Sequence, residues 1–319
     1  MRRYLIDTAG TRSELPPQLS HLREQFFDEA WAYCRHALSS PPGFIINILN
    51  DISEFERRII SPQRNGSWFL TRIALTRARL SREPIFVEGQ WKSHGKNHVI
   101  RLDCHSEGTY PYENVHEALA RIHETISANQ YSISSNNIRG KIVIDAGANT
   151  GVFSITAALL GAKRVYAFEP VSSSFNLLKR NIRENKVGHI VIPINAGLWN
   201  AQGHTTIEYR FPGDSCANLS SKSILHPGFH NKSERIRLVS VDAFLKNKPC
   251  DFIKIDAEGC EEEILQGAKR TIKLSKPVLS FSAYHFAKDK TRLPALVKHL
   301  RPDYTIRLNH FEEPVFYCE

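Results

Sequence analysis

Residues 141–151 read KIVIDAGANTG. A short apolar run from Ile142 to Ile144 closes on small residues, and Phe153, Ile155, Leu159 and Leu160 then recur at helical spacing. The stretch predicts a buried strand, a tight turn and a helix. Gly147 permits the turn and a close approach of ligand to backbone, and Asn149 is among the few non-glycine residues that tolerate a left-handed conformation. The helix beginning near Gly151 offers its free amides to whatever occupies the turn. Glu169 ends the next apolar run, RVYAFEP at 164–170, where a carboxylate can accept hydrogen bonds from both hydroxyls of a ribose. Turn and acid together describe a cradle for a nucleoside.

Outward from this cradle the alternation continues. Phe175, Leu178 and Ile182 mark a helix with Ser172 available as its cap. HIVIPINAG at 189–197, DFIKIDAEG at 251–259 and VLSFSAYH at 278–285 read as strands buried on both faces. Ile264, Leu265, Ala268 and Ile272 mark the helix between the last two, stopped before Pro277. YTIRLN and PVFYC are separated only by HFEE, too short for a parallel crossover, so they pair as an antiparallel hairpin. The fold class expected is therefore α/β: a doubly wound, mostly parallel, Rossmann-like sheet that closes in an antiparallel C-terminal hairpin. An insertion at 199–240 carries TTIEYRF and RIRLVSV, which suggest added strands whose connecting loop could cover an acceptor. His204, His226 and His230 within it are not spaced as a zinc site.

Residues 1–138 read differently and are expected to form a mainly helical appendage to the domain at 139–319. Leu22, Phe26, Phe27, Ala30 and Cys34 share a helical stripe, and a second helix is expected through Trp68, Ile73 and Leu80. IFVEGQWKSHGKNHVIRLD at 85–103 alternates about a glycine turn and predicts a hairpin, followed by a helix from Val115 to Ile126.

Composition excludes several classes. The chain carries 42 Lys and Arg against 33 Asp and Glu, a net charge of +9, with nine basic residues facing only Asp289 between Lys269 and Arg301. Solvated helix faces explain this. No RNA-recognition signature or metal-finger spacing accompanies it, so no nucleic-acid partner is expected. The six cysteines are dispersed without a CxxC pair. No apolar run is long enough for a spanning helix and the start lacks a signal peptide's apolar stretch, so the expected location is cytoplasmic.

Which nucleoside fits is decided by what is missing. A dinucleotide fingerprint needs glycines at 149 and 152, where this chain has Asn149 and Val152, and no Gly-Lys-Ser/Thr of a phosphate loop follows. VIDAGANTG, VYAFEP, DFIKIDAEGCEEEILQGA and SAYH, with the closing RLNH and EPVFYC, resemble in order the motifs of FkbM-type methyltransferases over residues 139–319. That resemblance implies a class I methyltransferase fold and S-adenosylmethionine-dependent O-methylation of a sugar, glycolipid, polyketide or similar hydroxyl compound. It further implies that Asp145, Gly147, Asn149 and Gly151 surround the methionine part, that Glu169 holds the ribose, and that Asn195 and Ala196 lie near the adenine.

A hydroxyl that accepts a methyl group loses a proton, so a base or an acidifying metal is expected at the carboxyl ends of the strands. Asp256 with Glu258, and Tyr284 with His285, end the fourth and fifth core strands. His285 is the candidate base, since its ordinary pKa lies near neutrality. Asp256 orients the acceptor or holds the methionine amine, with Tyr284 beside them. Glu261, Glu262 and Glu263 suit the first turn of a helix. Asp256, Glu258 and His285 leave open a divalent cation such as Mg, although no metal is required. Two alternatives stay in view. An NAD-dependent oxidoreductase is opposed by the missing glycines and by the lack of Tyr-x-x-x-Lys after the fourth strand; the other is a nucleoside-binding module without catalysis.

Overall fold

The computed structural model describes residues 4–6, 12–14, 45–50, 54–62, 68–76, 86–93, 95–104, 117, 118, 120–209, 217, 232–310 and 313–319. The chain divides into two compact units, Met1–Ala120 and Arg121–Glu319, so residues 121–138 belong with the second.

In the first unit, strands Ile45–Asn50, Glu54–Pro62, Trp68–Thr76, Phe86–Ser93 and Lys96–Asp103 form a five-stranded antiparallel sheet in sequence order. The expected hairpin is its last pair, with Gly95 at a φ of +78° in the turn and Trp91 stacked on the cross-strand His98. The helix expected through Trp68 and Ile73 is instead the central strand. WFLTRIALT is rich in aromatic and β-branched residues, and pairing on both edges satisfies its backbone, which outweighs a loose helical spacing. The described part of this unit is thus mostly strand rather than helix. The stripe from Leu22 to Cys34 lies outside the described residues, as does Leu80.

The second unit is built on a seven-stranded sheet. Its strands are β1 (Ile142–Ala146), β2 (Arg164–Phe168), β3 (Val191–Ile194), β4 (Phe252–Ile255), β5 (Val278–Ser282), β6 (Ile306–His310) and β7 (Val315–Cys318). They lie in the order β3-β2-β1-β4-β5-β7-β6, with β1 to β5 parallel and β7 antiparallel to both its neighbours. The order reverses direction between β1 and β4. Ligands of open parallel sheets bind at such a switch point, beyond the strand ends.

Helices α1 (Val152–Leu159), α2 (Ser172–Glu184), α3 (Val241–Leu245), α4 (Glu261–Gly267), α5 (Lys269–Ser275) and α6 (Asp289–Leu300) cover the sheet. Val171 rather than Ser172 caps α2, and the Ser172 amide donates to Glu234 at 2.6 Å. The helix expected between β4 and β5 breaks at Ala268 into α4 and α5, because Asp242 accepts from the Arg270 and Thr271 amides and starts a new helix there. Ile144, Ile253, Ile255, Leu279 and Phe281 of the strands pack with Ile264, Leu265 and Ile272 in the main core. In the insertion, Gly203–Tyr209 pairs antiparallel with Lys232–Val239, which also carries Gly197–Leu198 on its other edge. Cys104, Cys250, Cys260 and Cys318 are buried. No helix among the described residues is long and apolar enough to cross a membrane.

Candidate active site

The ends of β1, β2 and β4 surround a cleft within the second unit. Its tightest point is backbone on backbone. A Cβ on Gly147 would stand 2.0 Å from the Asp256 carbonyl oxygen, and the residue has a φ of +76°, so only glycine fits where β4 presses on the turn. The Gly147 and Ala148 amides donate to the Phe168 carbonyl at 3.2 and 2.9 Å. Asn149 takes the left-handed conformation at φ +48°, and its side chain accepts from the Thr150 amide. Gly151, at φ +97°, starts α1.

Glu169 reaches this turn from β2. It is 6% exposed, and its carboxylate accepts from the Asn149 amide at 2.8 Å and the Val171 amide at 2.9 Å. Burial pushes its pKa up to about 7, against the two amides and Lys254. Beyond Glu169 the wall is apolar: Val171, Leu198, Ile207, Ile236 and Leu238 line it. The inserted strands therefore wall the Glu169 end of the cleft.

Other expected residues sit behind this surface. Asp145 is fully buried, accepts from Ser154 Oγ at 2.7 Å and pairs with Lys254 at 3.1 Å, without lining the cleft. Gly151 lies under the turn against Leu178. Ala196 is in the core, and Asn195 donates to the Glu169 and Pro170 carbonyls; neither lines the cleft. Lys254, absent from the sequence expectations, is 4% exposed and ties the turn down by donating to the Gly147 carbonyl at 2.8 Å and the Ala146 carbonyl at 3.3 Å. A lysine inside the apolar run FIKI was the available signal, since such a charge persists only when paired.

The opposite wall is acidic. Asp256 accepts from Tyr131 Oη at 2.6 Å and Tyr284 Oη at 3.2 Å. Burial works against its charge, but Lys254, His285 and the Tyr131 hydrogen bond outweigh it and hold the carboxyl well below the usual range. Both tyrosines are raised by burial and by the Asp256 charge, so they act as hydroxyl donors. Glu258 lines the cleft at a left-handed φ of +51°, and burial raises its carboxyl. His285 lies among carboxylates: Nε2 is 3.4 Å from Glu258 and 3.9 Å from Asp256, and Nδ1 is 3.2 Å from Glu261, none with the alignment of a hydrogen bond. Burial opposes an imidazolium there, yet Glu261 and Glu258 prevail and push its pKa up to about 12. The three expected catalytic residues, His285, Asp256 and Tyr284, thus come together. The hydroxyl of Tyr131, from the segment before β1, joins them.

A doubly wound sheet with this strand order and a nucleoside-shaped turn at its switch point defines the class I methyltransferase fold. The profile of the methyltransferase FkbM domain matches residues 145–308, more than half of the chain, and the chain belongs to that family. Among curated proteins it is 36% identical over 99 residues to protein arginine N-methyltransferase 6 of Xenopus tropicalis, covering 29% of this chain and 28% of that one. It is 29% identical over 153 residues to methyltransferase sdnD of Sordaria araneosa, covering 39% and 59%. The chain thus spans less than two thirds of the length of these relatives. A solved structure of methyltransferase FkbM from Methylobacillus flagellatus KT aligns at 21% identity over 65% of this chain and 54% of that one, with a TM-score of 0.44.

Proposed function

We propose that this protein is a methyltransferase that moves the methyl group of S-adenosylmethionine to a hydroxyl oxygen of a sugar, glycolipid or polyketide-like molecule. The observation carrying the reading is Glu169, a buried carboxylate in contact with the Asn149 turn and next to an apolar slot, across one cleft from Asp256. Glu169 would hold the ribose hydroxyls, the slot the adenine, and the backbone of Gly147 to Asn149 the methionine part.

The charges of the cleft wall fit that donor. Glu124, Glu169, Asp256 and Glu258 outnumber Lys254 and Arg121, and those two cations already contact Asp145 at 3.1 Å and Glu124 at 2.7 Å. Such a wall suits a sulfonium and an ammonium and repels the pyrophosphate of NAD. When bound, the donor supplies a methyl group on a positively charged sulfur. The carbon–sulfur bond breaks with its electron pair left on sulfur, the carbon–oxygen bond forms, and the acceptor's proton leaves to solvent water. Asp256, oriented by Tyr131 and Tyr284, receives the acceptor hydroxyl's hydrogen bond, and His285 holds the carboxylates in place. Orientation and exclusion of water then supply much of the acceleration.

The acidic wall also suits a guanidinium, which makes N-methylation of a protein arginine the second reading. Calorimetric titration with S-adenosylmethionine, its demethylated product and NAD tests the donor, and binding of NAD alone would end the proposal. Incubation of labelled donor with sugars, glycolipid extract and arginine-rich peptides tests the acceptor. Label in an alkali-stable ether supports a hydroxyl; label only in methylarginine transfers the assignment to the second reading.

A further inference from the structure

We infer that Asp256, Glu258 and His285 form a binding site for one divalent transition-metal ion, Mn²⁺ being the natural probe, with open coordination positions toward the cleft. One donor atom from each of the three residues lies within 4.8 Å of the others, and the contacts to His285 Nε2 are 3.4 Å from Glu258 Oε2 and 3.9 Å from Asp256 Oδ1. An octahedral ion with bonds of about 2.1 Å places its donors about 3.0 Å apart when adjacent and about 4.2 Å when opposite. The observed separations need only small side-chain rotations to reach that range.

Three carboxylates packed together would be a poor argument alone, and the histidine supplies the independent one. His285 is 5% exposed, and neither ring nitrogen makes an aligned hydrogen bond. A buried polar group without such a bond is costly, so its environment calls for explanation. Its Nε2 faces the two carboxylates on the cleft wall. Its Nδ1 stands 3.2 Å from Glu261, a residue 1% exposed and itself fixed by the Ala257 amide at 2.9 Å. Carboxylate behind imidazole, imidazole toward the ion, is the arrangement by which proteins orient a metal-binding histidine. Metal binding displaces the proton that Glu258 and Glu261 hold on His285, and with the ring neutral and Lys254 engaged by Asp145, Asp256, Glu258 and Glu261 leave a negative surplus that a dication would balance. The backbone also bends to present Glu258, at a φ of +51°, followed by Gly259, where a Cβ would stand 2.6 Å from the Phe286 ring.

One imidazole with two carboxylates is a mixed donor set, which favours Mn²⁺ and its neighbours over Mg²⁺. Glu261 would be a positioning residue. The use of the ion rests on the hydroxyl methylation proposed above: held by Asp256, Glu258 and His285, it would acidify an acceptor hydroxyl placed at an open position, so that the proton would pass to solvent water as the carbon–sulfur bond breaks and the carbon–oxygen bond forms.

The test binds Mn²⁺ to metal-stripped full-length protein without donor or acceptor, read by the loss of the free-ion electron paramagnetic resonance signal. One ion per chain is expected, with nitrogen coupling from the imidazole in the pulsed spectrum. Glu258→Gln should weaken binding at least tenfold, Glu261→Gln by about 10- to 100-fold with an altered nitrogen coupling, and His285→Ala should abolish the coupling. An unchanged near-ultraviolet circular dichroism spectrum shows that each variant is folded. Mn²⁺ binding no tighter than in Glu258→Gln, or binding without nitrogen coupling, overturns the site. If Mn²⁺ binds as expected but chelator leaves ether formation unchanged, the site stands and its catalytic use falls. If no ether forms under any condition while Mn²⁺ binds, the acceptor assignment falls and the site stands.

Discussion

Acidifying the medium through neutrality should loosen the grip on the nucleoside, and the loss should trace to Glu169. Its carboxyl titrates at about 7 because burial outweighs the Val171 and Asn149 amides. Ribose hydroxyls donate best to the ionised form. If only that form binds, the competent fraction falls from about 90% at pH 8 to about 10% at pH 6, a roughly tenfold loss of affinity, or ~1.4 kcal/mol. The same shift acts on stability with the opposite sense. Between the ordinary value of 4.5 and about 7, the folded protein keeps a proton that the unfolded chain has released. Stability from this group is therefore complete below the ordinary value and is lost as pH rises through the folded one, by up to ~3 kcal/mol. Calorimetric titration of the demethylated donor product at both pH values, with thermal unfolding over the same range, measures the two trends. Glu169→Gln should bind weakly at every pH and lose its part of the stability slope. An unchanged affinity in the native protein, or a Gln variant that retains the trend, would refute the reasoning.

Other expectations follow from single contacts. Gly147→Ala drives a Cβ into the Asp256 carbonyl and should cost more than ~2 kcal/mol in urea unfolding while abolishing nucleoside binding. Lys254→Met leaves Asp145 buried beside Ser154 without its cation and should destabilise by about 3–5 kcal/mol, seen as a lower denaturation midpoint. Tyr131→Phe removes the 2.6 Å hydrogen bond to Asp256. Turnover should fall about tenfold with donor affinity unchanged within about twofold, and a loss of donor affinity instead would place Tyr131 on the nucleoside.

The parallel sheet, its closing hairpin and the turn at Asn149 were legible because each rests on local signals: apolar runs of strand length, a glycine where φ is positive, a connection too short for a crossover. Asp256, Tyr284 and His285 were legible for a related reason, since strand ends converge wherever the sheet order reverses. The strand at Trp68–Thr76 was not, because its pairing partners lie along other segments and nine residues of mixed polarity carry no clear period. Nor were the separate stations of Asp145 and Asn195. Sequence shows which end of a strand they occupy; whether a side chain meets the cleft, Lys254 or a backbone carbonyl depends on neighbours brought from far along the chain. Tyr131 was illegible for that reason too, its hydroxyl reaching Asp256 across 125 positions.

The contact between Gly147 and the Asp256 carbonyl carries a mechanical consequence. Two strand tips pressed together, with a lysine fastening the carbonyls on one of them, behave as a single jaw. Any displacement that opens the nucleoside's seat drags the acidic wall along, so the spacing between donor and acceptor is built into the backbone. Adaptation to a new acceptor then has to come from the parts that ring this jaw and leave the jaw itself untouched.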